Sequence, residues 1–149
     1  MDHNCSTLVL CCMDWRLSPP QANLDEVLLK NNIVEPSGFD RVIIGGGVKS
    51  LASAEKETDI AFVIRQLDIG DTLHHVKKMV LINHSDCGAY GGSANFKSVD
   101  AEHQFHFEEL NKAAKLIRTK YPNIEVQSYV AHLELKDQKW SVYLINKLG

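Results

Sequence analysis

Long apolar runs, blocks of one charge and paired-cysteine motifs are all missing from this chain. No stretch approaches the roughly 20 apolar residues needed to cross a bilayer, so no membrane span is expected. The formal net charge is only −3 and no Lys/Arg block occurs, which leaves no electrostatic footprint for nucleic acid or an anionic membrane. Three glycines stand together at Gly45–Gly47, yet neither the dinucleotide fingerprint nor the P-loop pattern is present. The first residues, MDHNCSTLVLCCMDW, lack a basic segment followed by a long apolar core, so a secretory leader is not expected. The expected location is therefore the cytoplasm, where disulfides are uncommon. The four cysteines, Cys5, Cys11, Cys12 and Cys87, then read as thiols or metal ligands. No C-x-x-C pair, internal repeat, low-complexity tract or interdomain linker is found.

What is present suits one domain over residues 1–149: 149 residues, 44% hydrophobic and 23% charged. Short apolar segments alternate with helical periodicity. Residues 6–13 (STLVLCCM), 39–48 running into the glycines, 77–83 (KKMVLIN) and 124–135 read as strands. Residues 23–32, 53–69 and 100–121 read as helices, with Asn23 a cap and Pro122 a stop. Residues 136–138 turn the chain into a last strand at 139–145. This alternation predicts an α/β fold: a mostly parallel central sheet, helices on both faces and an antiparallel C-terminal edge strand. In such sheets functional groups gather beyond the carboxyl ends of strands, where the strand order reverses.

Two strand ends carry chemistry. LVLCCMDWRL ends in Cys12, Asp14 and Arg16; VLINHSDCGAYGG ends in His84, Asp86, Cys87 and glycines. Thiolate and imidazole are zinc ligands, and a catalytic zinc keeps three protein ligands and one open position. Cys12, His84 and Cys87 supply that number and type of donors. Asp14 and Arg16, two apart on an extended segment, share a face and suit a bidentate pair beside the open position. A buried core thiol at Cys12 is the competing reading for an isolated cysteine; three ligand types at equivalent strand ends outweigh it.

Cys12-x-Asp14-x-Arg16 followed about 70 residues later by His84-x-x-Cys87-Gly88 resembles the β-class carbonic anhydrases, in order and spacing over residues 6–145. The resemblance implies that Cys12, His84 and Cys87 hold Zn2+ and that Asp14 and Arg16 form the catalytic dyad. It implies reversible hydration of CO2 to bicarbonate by zinc-bound hydroxide, with Asp14 orienting the nucleophile, and a homodimer or higher homo-oligomer. It also implies that Asp14 can leave Arg16 and close the site by ligating the metal. Where the family commonly carries Arg-Asn-Ala-Gly after the second strand, this chain has Ile43-Ile44-Gly45-Gly46-Gly47. No helical arm precedes the first strand in the sequence. Two thiolates cancel the metal's formal charge, so activity is expected to rise toward alkaline pH.

Gly88, Gly46 and Gly47 are candidates for substrate contact through the backbone. Cys11, alternating with Cys12, is expected to face away from the metal, and Cys5 to be a free terminal thiol. His103 and His106, one turn apart, are weighed as a proton relay against two surface histidines, and His74-His75 as helix-end imidazoles. Trp15 and Tyr90 are weighed as cleft lining or core. Two other functions stay open: zinc-dependent hydrolysis of carbonyl sulfide or carbon disulfide, and non-catalytic zinc binding on the same scaffold.

Overall fold

A computed structural model of the chain describes residues 3–146. Five strands, β1 (Thr7–Cys12), β2 (Asp40–Ile44), β3 (Lys78–His84), β4 (Glu125–Lys136) and β5 (Lys139–Ile145), form one sheet in the order β2-β1-β3-β4-β5. The first four are parallel and β5 runs antiparallel to β4, which is the sheet expected from the alternation of elements. A parallel strand covered on both faces has no polar side to show, so it reads as an unbroken apolar run. β1 is such a strand, buried along its whole length between β2 and β3.

Alternate residues of β1 serve different faces. Leu8 and Leu10 join Met79, Leu81 and Val130 in a core closed by helices α2 (Lys49–Ala52), α3 (Glu57–His74) and α4 (Val99–Lys120), through Leu51, Val63, Leu67, Leu110 and Ile117. Val9 and Cys11 join Val80, Ile82 and Leu133 on the opposite face, closed by helix α1 (Leu24–Lys30) and its flanks through Leu17, Leu28 and Ile33. Asn23 caps α1, its side chain accepting the Glu26 N–H at 3.2 Å. Ser98 caps α4 in the same way, on the Ala101 N–H.

The one helix placed differently from expectation is that over residues 53–69. The chain makes a single short turn, α2, leaves it at Ser53, and restarts as α3 at Glu57, which runs on to His74. Gly70 lies inside α3 because the helix presses on the sheet there: a Cβ would stand 2.5 Å from Leu8 Cδ1. His75 then ends α3 in the left-handed conformation and His74 pairs with Asp40 at the start of β2. The β4–β5 hairpin turns on Asp137 and Gln138, both at positive φ, which a tight two-residue loop requires. Among the described residues no helix is long and apolar enough to cross a membrane.

Because β2 and β3 lie on opposite sides of β1, the strand order reverses between β1 and β3. The carboxyl ends of these two strands therefore open side by side, and loops leaving them diverge to leave a crevice.

Candidate metal centre

Cys12 is the last residue of β1 and His84 the last of β3; Cys87 follows after a two-residue bend. One ligand atom from each lies within 4.8 Å of the others, and all three side chains are buried. The bend is built by Ser85 and Asp86. Ser85 Oγ accepts the Leu133 N–H at 2.8 Å, tying the turn to β4. Asp86 adopts φ 57°, a left-handed conformation that Asp tolerates better than most residues.

The hydrogen bonds around the three ligands prepare them for a cation. His84 Nδ1 donates to the Ser85 carbonyl at 2.8 Å, which puts the proton on Nδ1 and leaves the Nε2 lone pair bare. That Nε2 is buried without a hydrogen-bond partner among the described residues, a costly arrangement for a polar atom unless something else takes the lone pair. Cys12 Sγ accepts from the Gly46 N–H at 3.4 Å. A hydrogen bond from the Cys87 thiol, with contributions from His84 and Gly46, pulls the Cys12 thiol down to about 4, against the opposing effect of burial. Cys87 is pushed up, chiefly because its thiol donates a hydrogen bond to the Cys12 sulfur and so keeps its proton, although the Ala89 and Tyr90 N–H groups face its sulfur. Two sulfurs, one already inclined to be a thiolate, and a correctly tautomerised imidazole fit a zinc ion with a position left over.

Asp14 and Arg16 stand beside this group. Asp14 caps the 3-10 turn Trp15–Leu17, its Oδ1 accepting the Arg16 N–H at 2.9 Å. The guanidinium then closes a two-pronged pair, Nε to Oδ1 at 3.0 Å and Nη2 to Oδ2 at 2.7 Å. These bonds hold the Asp14 carboxyl below its ordinary range. Asp14 Oδ2 lies 3.8 Å from His84 Nε2, so the acid borders the open side of the ligand group.

Sequence reasoning missed a second acid on the arginine. Asp86 Oδ2 accepts from Arg16 Nη1 at 2.8 Å, and the Asp86 carbonyl accepts from Nη2 at 2.9 Å. Trp140 on β5 lies under the guanidinium, 4.9 Å from its carbon to the ring centre. Asp86 lies in the second motif, two residues after His84, and its charge next to Arg16's strand tip was the available signal.

The glycines do different things. Gly46 (φ 79°) gives its N–H to Cys12. Gly47 (φ 56°) gives its N–H to the Ile44 carbonyl and passes so close to β3 that a Cβ would stand 2.9 Å from the Ile82 carbonyl oxygen. Gly88 faces open space.

Other weighed residues separate. Cys11 points to the α1 face and burial pushes its thiol up to about 12. Cys5 is half-buried and its Sγ donates to the Thr7 carbonyl. His106 is fully buried, whereas His103 contacts His132 with ring nitrogens 2.9 Å apart, so the two do not form one relay. Tyr90 packs edge-on against Phe105 and His106 and donates to Glu109, while Trp15 is 65% exposed. A depression of about 480 Å³ is lined by Gly45, Lys49, Ser50, Glu55 and Ala89 among others, and by none of the three ligands or the dyad. A narrower one of about 90 Å³ reaches Cys12 past Met13 and Leu17.

Comparison with known proteins identifies a family and a fold. Residues 1–146 match a family described as "Putative carbonic anhydrase". An uncharacterized protein of Rickettsia bellii is 32% identical over 135 residues, covering 87% of this chain and 77% of its own. One of Rickettsia conorii is 31% identical over 135 residues, covering 87% and 68%. Among solved structures, the β-carbonic anhydrase CcaA superposes with a TM-score of 0.54 at 12% identity, over 100% of this chain and 80% of that one. The β-carbonic anhydrase isoform I of Trichomonas vaginalis gives 0.52 at 13%, over 94% and 82%. At these identities the structural likeness establishes the fold.

Proposed function

The chain belongs to the "Putative carbonic anhydrase" family, and from that premise we propose that it is a zinc-dependent carbonic anhydrase interconverting CO2 and bicarbonate. The observation that carries the proposal is the convergence of Cys12, His84 and Cys87 with an Arg-held Asp14 at their open side. Cys12, His84 and Cys87 would hold the metal. A zinc ion bound there supplies Lewis acidity that brings the ionisation of water toward neutrality.

The protein's own residues do the rest. Arg16 keeps Asp14 ionised and fixes both carboxylate oxygens, so that Asp14 accepts a hydrogen from the attacking oxygen and aims its lone pair at carbon. The Gly46 N–H steadies the Cys12 sulfur. Gly88, with open space beside it, is the backbone group we assign to the substrate side, and Gly46 and Gly47 form the wall that only residues without Cβ could build. We extend the proposal to a cytoplasmic homo-oligomer: Met13, Trp15 and Ile43, at 67%, 65% and 52% exposure around the β1 and β2 tips, give a second copy an apolar surface.

The test is stopped-flow CO2 hydration on zinc-loaded protein, with Asp14→Asn as the variant. Wild type turns over CO2 faster as pH rises from 6 to 9. Asp14→Asn keeps its zinc and loses about 10²-fold in kcat. Zinc binding with no hydration at any pH would instead favour a non-catalytic zinc protein, and preferential turnover of carbonyl sulfide or carbon disulfide would reassign the substrate.

A further inference from the structure

Helix α4 carries three polar residues on its buried stripe, Glu102, His106 and Glu109, in line with Leu110, Ala113 and Ile117. We propose that Glu102 is a positioning residue for the Asp14–Arg16 dyad, acting through Asp86; the proposal rests on the carbonic anhydrase reading for what the dyad does, and on geometry alone for the linkage. Glu102 is 2% exposed. A carboxylate is expensive to bury unless donors surround it, and its donors here all come from one turn. Oε1 accepts the Asp86 N–H at 2.6 Å and Oε2 accepts the Ser93 hydroxyl at 2.8 Å. His106 adds a longer contact. Its Nδ1 faces the Asn83 amide at 3.4 Å and accepts from it, so the ring proton sits on Nε2, 3.8 Å from Glu102 Oε1.

The turn held in this way is the one that holds Arg16. Asp86 Oδ1 accepts the Ser93 N–H at 2.9 Å, which locks the side chain across the turn. Its Oδ2 and carbonyl then receive two guanidinium N–H groups, and the remaining guanidinium bonds go to Asp14. The linkage therefore runs from Glu102 to the Asp86 backbone, to the plane of Arg16, to the carboxylate of Asp14. Each joint is a charge-assisted hydrogen bond. Asp14 lies on a short turn after β1, where its carboxylate is held by its own cap and by the Arg16 guanidinium. Without the α4 anchor Asp86 is held across its turn by the Ser93 N–H alone, the arginine's second partner is less firmly placed, and the dyad gains freedom to shift from the ligand group. A misplacement of about 1 Å at such a group costs as much as 10²-fold in rate.

The experiment uses the zinc-loaded full chain with Glu102→Ala, Glu102→Gln and Asp86→Ala. The primary readout is solvent exchange of the Arg16 Nε–H proton by 15N-resolved NMR, which does not depend on activity. The second is kcat for CO2 hydration, with zinc content measured alongside. Glu102→Ala is expected to speed the exchange about tenfold and lower kcat about tenfold, with one zinc retained and KM within about twofold. Glu102→Gln, whose amide oxygen still accepts the Asp86 N–H, restores both to within about threefold. Adding Glu102→Ala to Asp86→Ala costs less than the two single losses combined, because the side-chain contact that Glu102 helps to place is already gone and only the Asp86 carbonyl contact is left for it to act on; fully additive losses would mean that Glu102 only stabilises the fold, and would overturn the proposal. Should Glu102→Ala not fold, Glu102→Asp, which keeps the carboxylate but shortens its reach to the Asp86 N–H, still decides: unchanged Arg16 exchange overturns the linkage. Faster exchange in the variants of a protein whose wild type never hydrates CO2 would retain the linkage and remove the reaction.

Discussion

Cys11 and Cys12 are neighbours on one strand and nearly equal in burial, at 6% and 8% exposure, yet their sulfurs have chemically different neighbours. Cys11 faces the apolar layer under α1, where burial leaves the thiol protonated, up to about 12. Cys12 stands at the strand tip among the Cys87 thiol, His84 and the Gly46 N–H, which draw it down to about 4. Burial alone makes a cysteine inert; burial among donors makes it a ligand. The same contrast separates the two deeply buried histidines. His84 and His106 each keep an Nε2 without a hydrogen-bond partner among the described residues. That of His84 faces two sulfurs and an aspartate, and that of His106 faces Glu102.

The largest effect should come from exchanging the roles of the cysteine pair. Cys12→Ser is expected to lose tightly bound zinc and at least about 10³-fold in CO2 hydration, because a thiolate ligand is gone. Cys11→Ala should keep one zinc and nearly full activity, at a stability cost of about 1 kcal/mol. Metal analysis of both purified variants checks this; equal zinc loss in the two would erase the distinction between the two sulfurs.

Next in size is thiol reactivity. After chelation at neutral pH, iodoacetamide should modify Cys12 at least about tenfold faster than Cys11, since thiolate fraction sets the rate when access is alike. Peptide mapping of a time course reads the ratio. Equal rates would show that the hydrogen bonds to Cys12 do not control its ionisation.

His106 gives the most gradual effect. Burial lowers His106 to about 4 from an ordinary 6.5. The unfolded chain therefore binds a proton at this site between those values that the folded chain refuses. Stability is present above the unfolded value and is lost as pH falls from about 6.5 toward 4, by up to about 3 kcal/mol. Urea unfolding at several pH values should show this slope, and His106→Gln should flatten it. An unchanged slope in the variant would assign the acid lability to other groups.

The sheet and the ligand group were legible in the sequence because each depends on local signals. A doubly buried strand must be apolar throughout, so β1 and β3 announced themselves, and polar ligand types at their ends stood out against that background. The Asp14–Arg16 spacing was likewise local. Asp86 was named at the second strand end but given no role, and Glu102 was not singled out, because an acid on a helix or in a turn is ordinarily solvated and their partners lie 16 and 70 residues away. Only the stripe Glu102, His106, Glu109, in phase with Leu110 and Ile117, hinted that α4 carries polar groups inward. The break between α2 and α3 escaped for a related reason: residues 53–56 contain no Gly or Pro to end a helix, and the end is set instead by Ser53, whose hydroxyl leaves the helix to bond Glu109 at 2.6 Å.

X-ray absorption at the zinc edge on the zinc-loaded wild-type chain tests the central claim most directly. Two sulfur scatterers at about 2.3 Å with an imidazole nitrogen at about 2.0–2.1 Å, at one zinc per chain, is the result expected from Cys12, Cys87 and His84. A sulfur count of zero or one, or a zinc whose shell is unchanged in Cys12→Ser, would contradict it.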